Sequence, residues 1–217
     1  MQVQLISDPA YDANIFLVMS EKQILIDTGT GLSPEGCIDS ISKCTEVKDI
    51  DRIILTHRHI DHVGGAKALS EAYGCTLYAS KDELPSLLAG DQVTTAASMF
   101  GKELEELDVK VIKYGETIQI GPEWLKIVHT PGHTEGSIAL YEESTKSLFS
   151  GDTIFAYGGV GRWDFPTGNL DKLVESIEKL SNVPVENLYP GHGPVVQGNA
   201  HLHIEASLRS LRVFQLV

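Results

Sequence analysis

The chain has 217 residues, 42% of them hydrophobic, and a formal net charge of −13; no Pro-rich or Ser-rich linker interrupts it, so residues 1–217 read as one domain with a sizeable core. The acidic balance, without clustered Lys or Arg, argues against a nucleic-acid partner. No apolar run reaches transmembrane length and the N-terminus lacks the regions of a signal peptide, so cytoplasmic residence away from membranes is expected.

In chain order, Asn14-Ile15-Phe16-Leu17-Val18, a polar turn at Ser20-Glu21-Lys22, and Gln23-Ile24-Leu25-Ile26-Asp27-Thr28-Gly29 read as a hairpin of apolar strands. Cys37, Cys44 and Cys75 are odd in number with no Cys-x-x-Cys, so reduced thiols are expected rather than disulfides or a thiolate metal site. A strand at Ile53-Ile54-Leu55 runs straight into Thr56-His57-Arg58-His59-Ile60-Asp61-His62. A helix follows at Ala66 to Tyr73, ended by Gly74, and short helices are expected between Asp82 and Gly101. Leu107 to Val128 reads as strands broken near Tyr114-Gly115-Glu116 and Gly121-Pro122.

The second half repeats the plan of the first. Ser137 to Tyr141, a turn at Glu143 to Lys146, and Ser147 to Thr153 form another hairpin that ends in Asp-Thr, and Asn187 to His192 matches Ile53 to His57 as a strand with a histidine at its end. A helix over Lys172 to Leu180, capped by Asn169 or Asp171, and a closing helix from about Gly198 to Val217 complete the chain. Such a duplication predicts an α/β fold in which two mixed sheets pack face to face with helices outside, an αββα sandwich of four layers.

Three imidazoles and a carboxylate within six residues point to metal binding, and to two ions rather than one. His57 and His59, two apart in an extended stretch, can face one point, whereas Asp61 and His62 in the following turn face another. His133 in Thr130-Pro131-Gly132-His133-Thr134, Asp152 in Ser150-Gly151-Asp152-Thr153 and His192 in Tyr189-Pro190-Gly191-His192-Gly193 are further candidates, each in a Gly or Pro turn after a strand. Nitrogen and oxygen donors without sulfur suit zinc, iron or manganese. No Gly-x-Ser-x-Gly elbow is present, so covalent catalysis is not expected.

The order HxHxDH, TPGHT, GDT, GHG resembles the metallo-β-lactamase superfamily over essentially the whole chain. Within it, HTPGHTEGS (129–137), FSGDTIFAYGGVGRWDFPTGN (149–169) and LYPGHGPV (188–195) are most similar to short glyoxalase II-like hydrolases and to persulfide dioxygenases. The resemblance implies the same αββα fold. It also implies that His57, His59 and His133 hold one metal, that Asp61, His62 and His192 hold the other, and that Asp152 bridges them. Asp27 takes a supporting role.

Two divalent ions, zinc above all, would activate a shared water against a carbonyl carbon, with Asp61 orienting that water or taking its proton. The expected activity is hydrolysis of a hydroxyacyl-thioester, whose thiolate leaves without strong acid help. Arg162, in a glycine-rich loop, and Arg209 with Arg212, on one face of the closing helix, are candidate contacts for a substrate carboxylate. Full-length glyoxalase II proteins carry an additional helical C-terminal region that supplies basic residues for glutathione, and only a short segment follows His192 here. The first alternative is a persulfide dioxygenase with one iron on His57, His133 and Asp152; a lactonase is the second. The oligomeric state is not legible.

Overall fold

Continuous apolar runs form the central strands, and the helices present one apolar stripe each. The computed structural model describes residues 1–6, 12–45 and 50–214. Its chain divides into two units, one of residues 1–112 with 119–123 and one of 113–118 with 124–217.

The first unit holds a six-stranded sheet in the order β1 (Gln2–Ile6), β2 (Ile15–Met19), β3 (Gln23–Ile26), β4 (Ile50–Ile54), β5 (Thr76–Ser80), β6 (Val109–Ile112). The β1–β2–β3 pairs are antiparallel and the β3–β4–β5–β6 pairs parallel. Ile15, Phe16, Leu17 and Val18 are buried on both faces, as the unbroken apolar run requires. Its helices are α1 (Pro34–Ser42), α2 (Ile60–Val63), α3 (Ala66–Tyr73) and α4 (Leu84–Leu88). In α3 the buried Ala66, Leu69 and Tyr73 recur three and four apart, and Gly74 ends the helix at φ +62°. A 3₁₀ turn, Ala97–Phe100, joins α4 in the stretch expected to hold short helices.

The second unit holds a six-stranded mixed sheet in the order β12 (Val196–Gln197), β11 (Asn187–Pro190), β10 (Ser147–Gly151), β9 (Ile138–Glu142), β8 (Trp124–His129), β7 (Thr117–Gln119). Among its described pairs β10–β11 is parallel, and β9–β10, β11–β12 and β8–β9 are antiparallel. Helix α5 (Leu170–Ser181) starts two residues earlier than expected. Asn169 is its cap, accepting from the Lys172 amide at 2.9 Å. Leu173, Val174, Ile177 and Leu180 turn inward from α5 onto Ala139, Leu148 and Leu188. Helix α6 (Ala200–Phe214) is the closing helix, and the last expected residues, 215–217, lie outside the described ones.

The α/β class with two mixed sheets is borne out. The sequence echo is borne out as topology, since β2–β3 and β9–β10 are each an antiparallel hairpin whose second strand gains a parallel neighbour, β4 or β11. The hairpins end differently. The left-handed residue is Asp27 in one (φ +61°) and Gly151 in the other (φ +49°), so the second Asp comes one position later along its turn. No helix among the described residues is long and apolar enough to cross a membrane. All three cysteines are free thiols.

Candidate metal centre

In the first unit, β4 runs directly into the histidine loop, and the Leu55 amide extends the parallel ladder by donating to Tyr78 O at 2.8 Å. His57, His59 and His62 are buried. The His57 ring lies 4.8 Å from that of His59 and 4.1 Å from that of His62, so it neighbours both. His59 is the extended residue before α2 (φ −64°, ψ 144°), and Asp61 and His62 lie within α2 itself rather than in a turn before it. His62 Nε2 is 4.0 Å from Asp61 Oδ2.

Asp27 orders this group. Its Oδ1 accepts from the Thr56 amide at 2.7 Å, and its Oδ2 from the Thr56 hydroxyl and His62 Nδ1, both at 2.8 Å. The single hydroxyl proton of Thr56 is committed to Asp27, so Thr56 Oγ1, 3.0 Å from His57 Nδ1, must accept from it. Both imidazoles therefore carry hydrogen on Nδ1, so that the neutral ring presents its lone pair on Nε2, the form in which histidine ligates a metal. Thr28 holds the other side of α2, with its amide and hydroxyl both donating to His62 O at 2.8 Å. Gly65 admits this approach, because a Cβ there would stand 2.3 Å from Thr28 O.

In the second unit, buried His133 follows Gly132, and its Nδ1 donates to Arg162 O at 2.6 Å, again leaving Nε2 with the lone pair. Asp152 follows the left-handed Gly151 at the end of β10. One oxygen, Asp152 Oδ2, lies 3.6 Å from His133 Nε2 and 3.5 Å from His192 Nε2. Two ligand atoms about 2.1 Å from a tetrahedral ion lie roughly 3.4 Å apart, so these spacings suit ligands of shared ions. His192 follows β11, and its ring stands perpendicular to that of Phe155 with the ring centres 5.8 Å apart. Gly161 closes over the pair: a Cβ there would stand 2.0 Å from Asp152 O and 2.8 Å from His133 Nδ1.

Arg162 is exposed and held in a fork by Asp164, with Nε and Nη2 donating at 2.9 and 2.7 Å. Its guanidinium lies 4.3 Å from the centre of the Phe165 ring, and Arg162, Trp163 and Asp164 line a recess of about 370 Å³. Arg209 and Arg212 sit on the exposed side of α6, against Glu205 at 3.5 Å and Glu178 at 2.9 Å. His129 stacks on Tyr114 at 3.8 Å, and its Nε2 lies 3.0 Å from Glu135 O in the loop that carries His133. Two features escaped the sequence reading. His203 Nδ1 accepts from the amide of Tyr157, a residue at φ +59°, and Arg58 is buried against Glu83.

Clustered imidazoles, three of them with Nδ1 fixed as a donor, and a carboxylate between His133 and His192 are donor sets that can hold divalent metal ions, and with two mixed sheets they define the metallo-hydrolase class. The chain belongs to the metallo-β-lactamase superfamily, whose family model matches residues 9–192. It is 38% identical to a probable metallo-hydrolase of Methanocaldococcus jannaschii over 85% of this chain and 89% of the relative. It is 29% identical to a hydroxyacylglutathione hydrolase of Haemophilus influenzae over 89% of this chain and 91% of that protein. Among solved structures, the BLEG-1 B3 metallo-β-lactamase superposes with a TM-score of 0.81 at 24% identity over 96% of this chain and 97% of that one. TTHA1623, in a di-iron-bound form, superposes at 0.76 with 29% identity over the same shares. ETHE1 from Myxococcus xanthus superposes at 0.70 with 23% identity, over 98% of this chain and 90% of that one.

Proposed function

We propose that this metallo-hydrolase is a thioesterase of glyoxalase II type that takes a hydroxyacyl-thioester and water to a hydroxy acid and a free thiol, with residues 1–217 acting as one domain. In this reading His57, His59 and His133 would hold one divalent ion, Asp61, His62 and His192 would hold a second, and Asp152 would serve both. The observation that carries it is the position of Asp152 Oδ2, one carboxylate oxygen at nearly equal distance from His133 Nε2 and His192 Nε2, which the reading gives to different ions. The likeness to a hydroxyacylglutathione hydrolase along nearly the whole of both chains supports the choice of thioester.

The ions, when bound, would lower the pKa of a shared water and polarise the thioester carbonyl. Asp61 orients that water and accepts its proton as the carbonyl carbon is attacked. Asp27 and Thr56 keep His57 and His62 in the ligating tautomer throughout. Arg162, at the recess it shares with Trp163 and Asp164, pairs with a carboxylate of the substrate; Arg209 and Arg212, on the exposed side of α6, are the further candidates for that contact. A small-molecule partner and a cytoplasmic setting belong to the same reading.

The test is elemental analysis of protein purified without added metal or chelator, followed by hydrolysis of a panel of hydroxyacyl-thioesters. About two ions per chain, zinc foremost, with thioester turnover that Asp152→Ala abolishes, is the expected result. One iron per chain with oxygen uptake on persulfides would replace this reading by the dioxygenase.

A further inference from the structure

We propose that Arg58, between His57 and His59, is a positioning residue for both imidazoles and acts through its buried ion pair with Glu83; the proposal rests on the reading of those histidines as metal ligands. The two rings stand 4.8 Å apart, whereas the side chain between them runs to the 82–86 segment. There each guanidinium nitrogen has an acceptor. Nε donates to the Glu83 carboxylate, Nη1 to Ser86 Oγ at 3.0 Å and Nη2 to Asp82 O at 2.7 Å. The side chains of Arg58 and Glu83 are 3% and 0% exposed.

Burying a charged pair gives little stability that a well-packed apolar pair would not match, so its contribution here is geometric. A planar fork held at three acceptors fixes the rotation of the backbone at residue 58, and with it the direction of the side chains on either side. The acceptors are themselves anchored. Ser86 Oγ is 2.7 Å from Thr94 Oγ1, whose hydroxyl donates to Asp91 at 2.5 Å, and the Ile60 amide donates to Thr95 O at 2.8 Å. The histidine loop is thus clamped on one flank by Asp27 through Thr56 and on the other by Glu83 through Arg58. Arg58 touches no reacting atom in this scheme.

The experiment measures Zn(II) affinity of the apoprotein by competition with a chromophoric chelator, together with its thermal unfolding. The proteins are the wild type, Arg58→Lys, and the double variant Arg58→Met with Glu83→Leu. Arg58→Lys keeps the charge but offers one nitrogen for three acceptors, and affinity should fall about 10- to 100-fold. The double variant should unfold close to the wild-type temperature yet bind Zn(II) as weakly as Arg58→Lys. Wild-type affinity in either variant would overturn the positioning role while leaving the metal reading intact. Absence of Zn(II), Fe(II) and Mn(II) binding by the wild type would overturn the metal reading, and this proposal with it.

Discussion

Asp27 Oδ2 lies 2.8 Å from His62 Nδ1, and the same oxygen takes the hydroxyl proton of Thr56, whose oxygen in turn receives Nδ1–H of His57. One carboxylate therefore sets the tautomer of two candidate ligands. It does so from a left-handed backbone position, φ +61°, which a residue other than glycine adopts at some cost. The neighbouring hydrogen bonds hold it there.

Asp27→Ala should weaken divalent-metal binding about 10- to 100-fold, the usual effect of removing the partner of a ligating histidine. Asp27→Asn should fall between, because its amide oxygen can still accept from one donor. Chelator competition with Zn(II) reads both. Unchanged affinity in the alanine variant would remove Asp27 from any role at the ligands.

Gly161→Ala places a methyl group 2.0 Å from Asp152 O and 2.8 Å from His133 Nδ1. The first of these contacts is with backbone, which cannot swing aside. The substitution should cost about 1–3 kcal/mol of stability, as overpacking does, and lower the metal content per chain. Chemical denaturation and elemental analysis measure the two effects, and a variant normal in both would mean the loop has room that this geometry denies.

Arg162→Ala should raise KM for thioesters bearing a carboxylate and leave kcat nearly unchanged, with neutral thioesters unaffected. The hydrogen bonds from Arg162 hold the Asp164 carboxyl below its ordinary range. A depressed carboxyl keeps its partner above the unfolded pKa and loses it only as pH falls through the lower folded value, so the ion pair is intact across neutral pH. The ratio of variant to wild-type KM should accordingly be flat from about pH 5 to 9. Equal KM values on every substrate would leave Arg162 as a brace for its own loop.

Burial pushes the Cys75 thiol up to about 11, and Cys37 is buried outright, whereas Cys44 is exposed. The thiolate is the nucleophile, so little of Cys75 is reactive near neutrality. Iodoacetamide at pH 7.5 should label Cys44 first and alone on the timescale of minutes, as peptide mass spectrometry would register. Rapid labelling of Cys75 would contradict its placement.

The amino-acid sequence by itself determined which side chains are ligand candidates, because donor type and spacing are local: HxHxDH after an apolar strand, and His or Asp in Gly and Pro turns, are visible without a fold. It also determined the duplicated hairpin and the stop at Gly74, since alternating turns and apolar runs are local, and it narrowed the cap of α5 to Asn169 or Asp171, of which the structure selects Asn169. Helix α1 and strands β1 and β5 drew no comparable signal. The protonation pattern of the ligands was decided only in three dimensions. Asp27 reaches Thr56 across 29 positions and His62 across 35, Arg58 meets Glu83 across 25, and Arg162 offers its carbonyl to His133 across 29. Hydrogen bonds at such separations depend on the path of the chain, which short-range spacing does not encode; the sequence names the donors, and the tertiary structure sets which nitrogen of each faces outward.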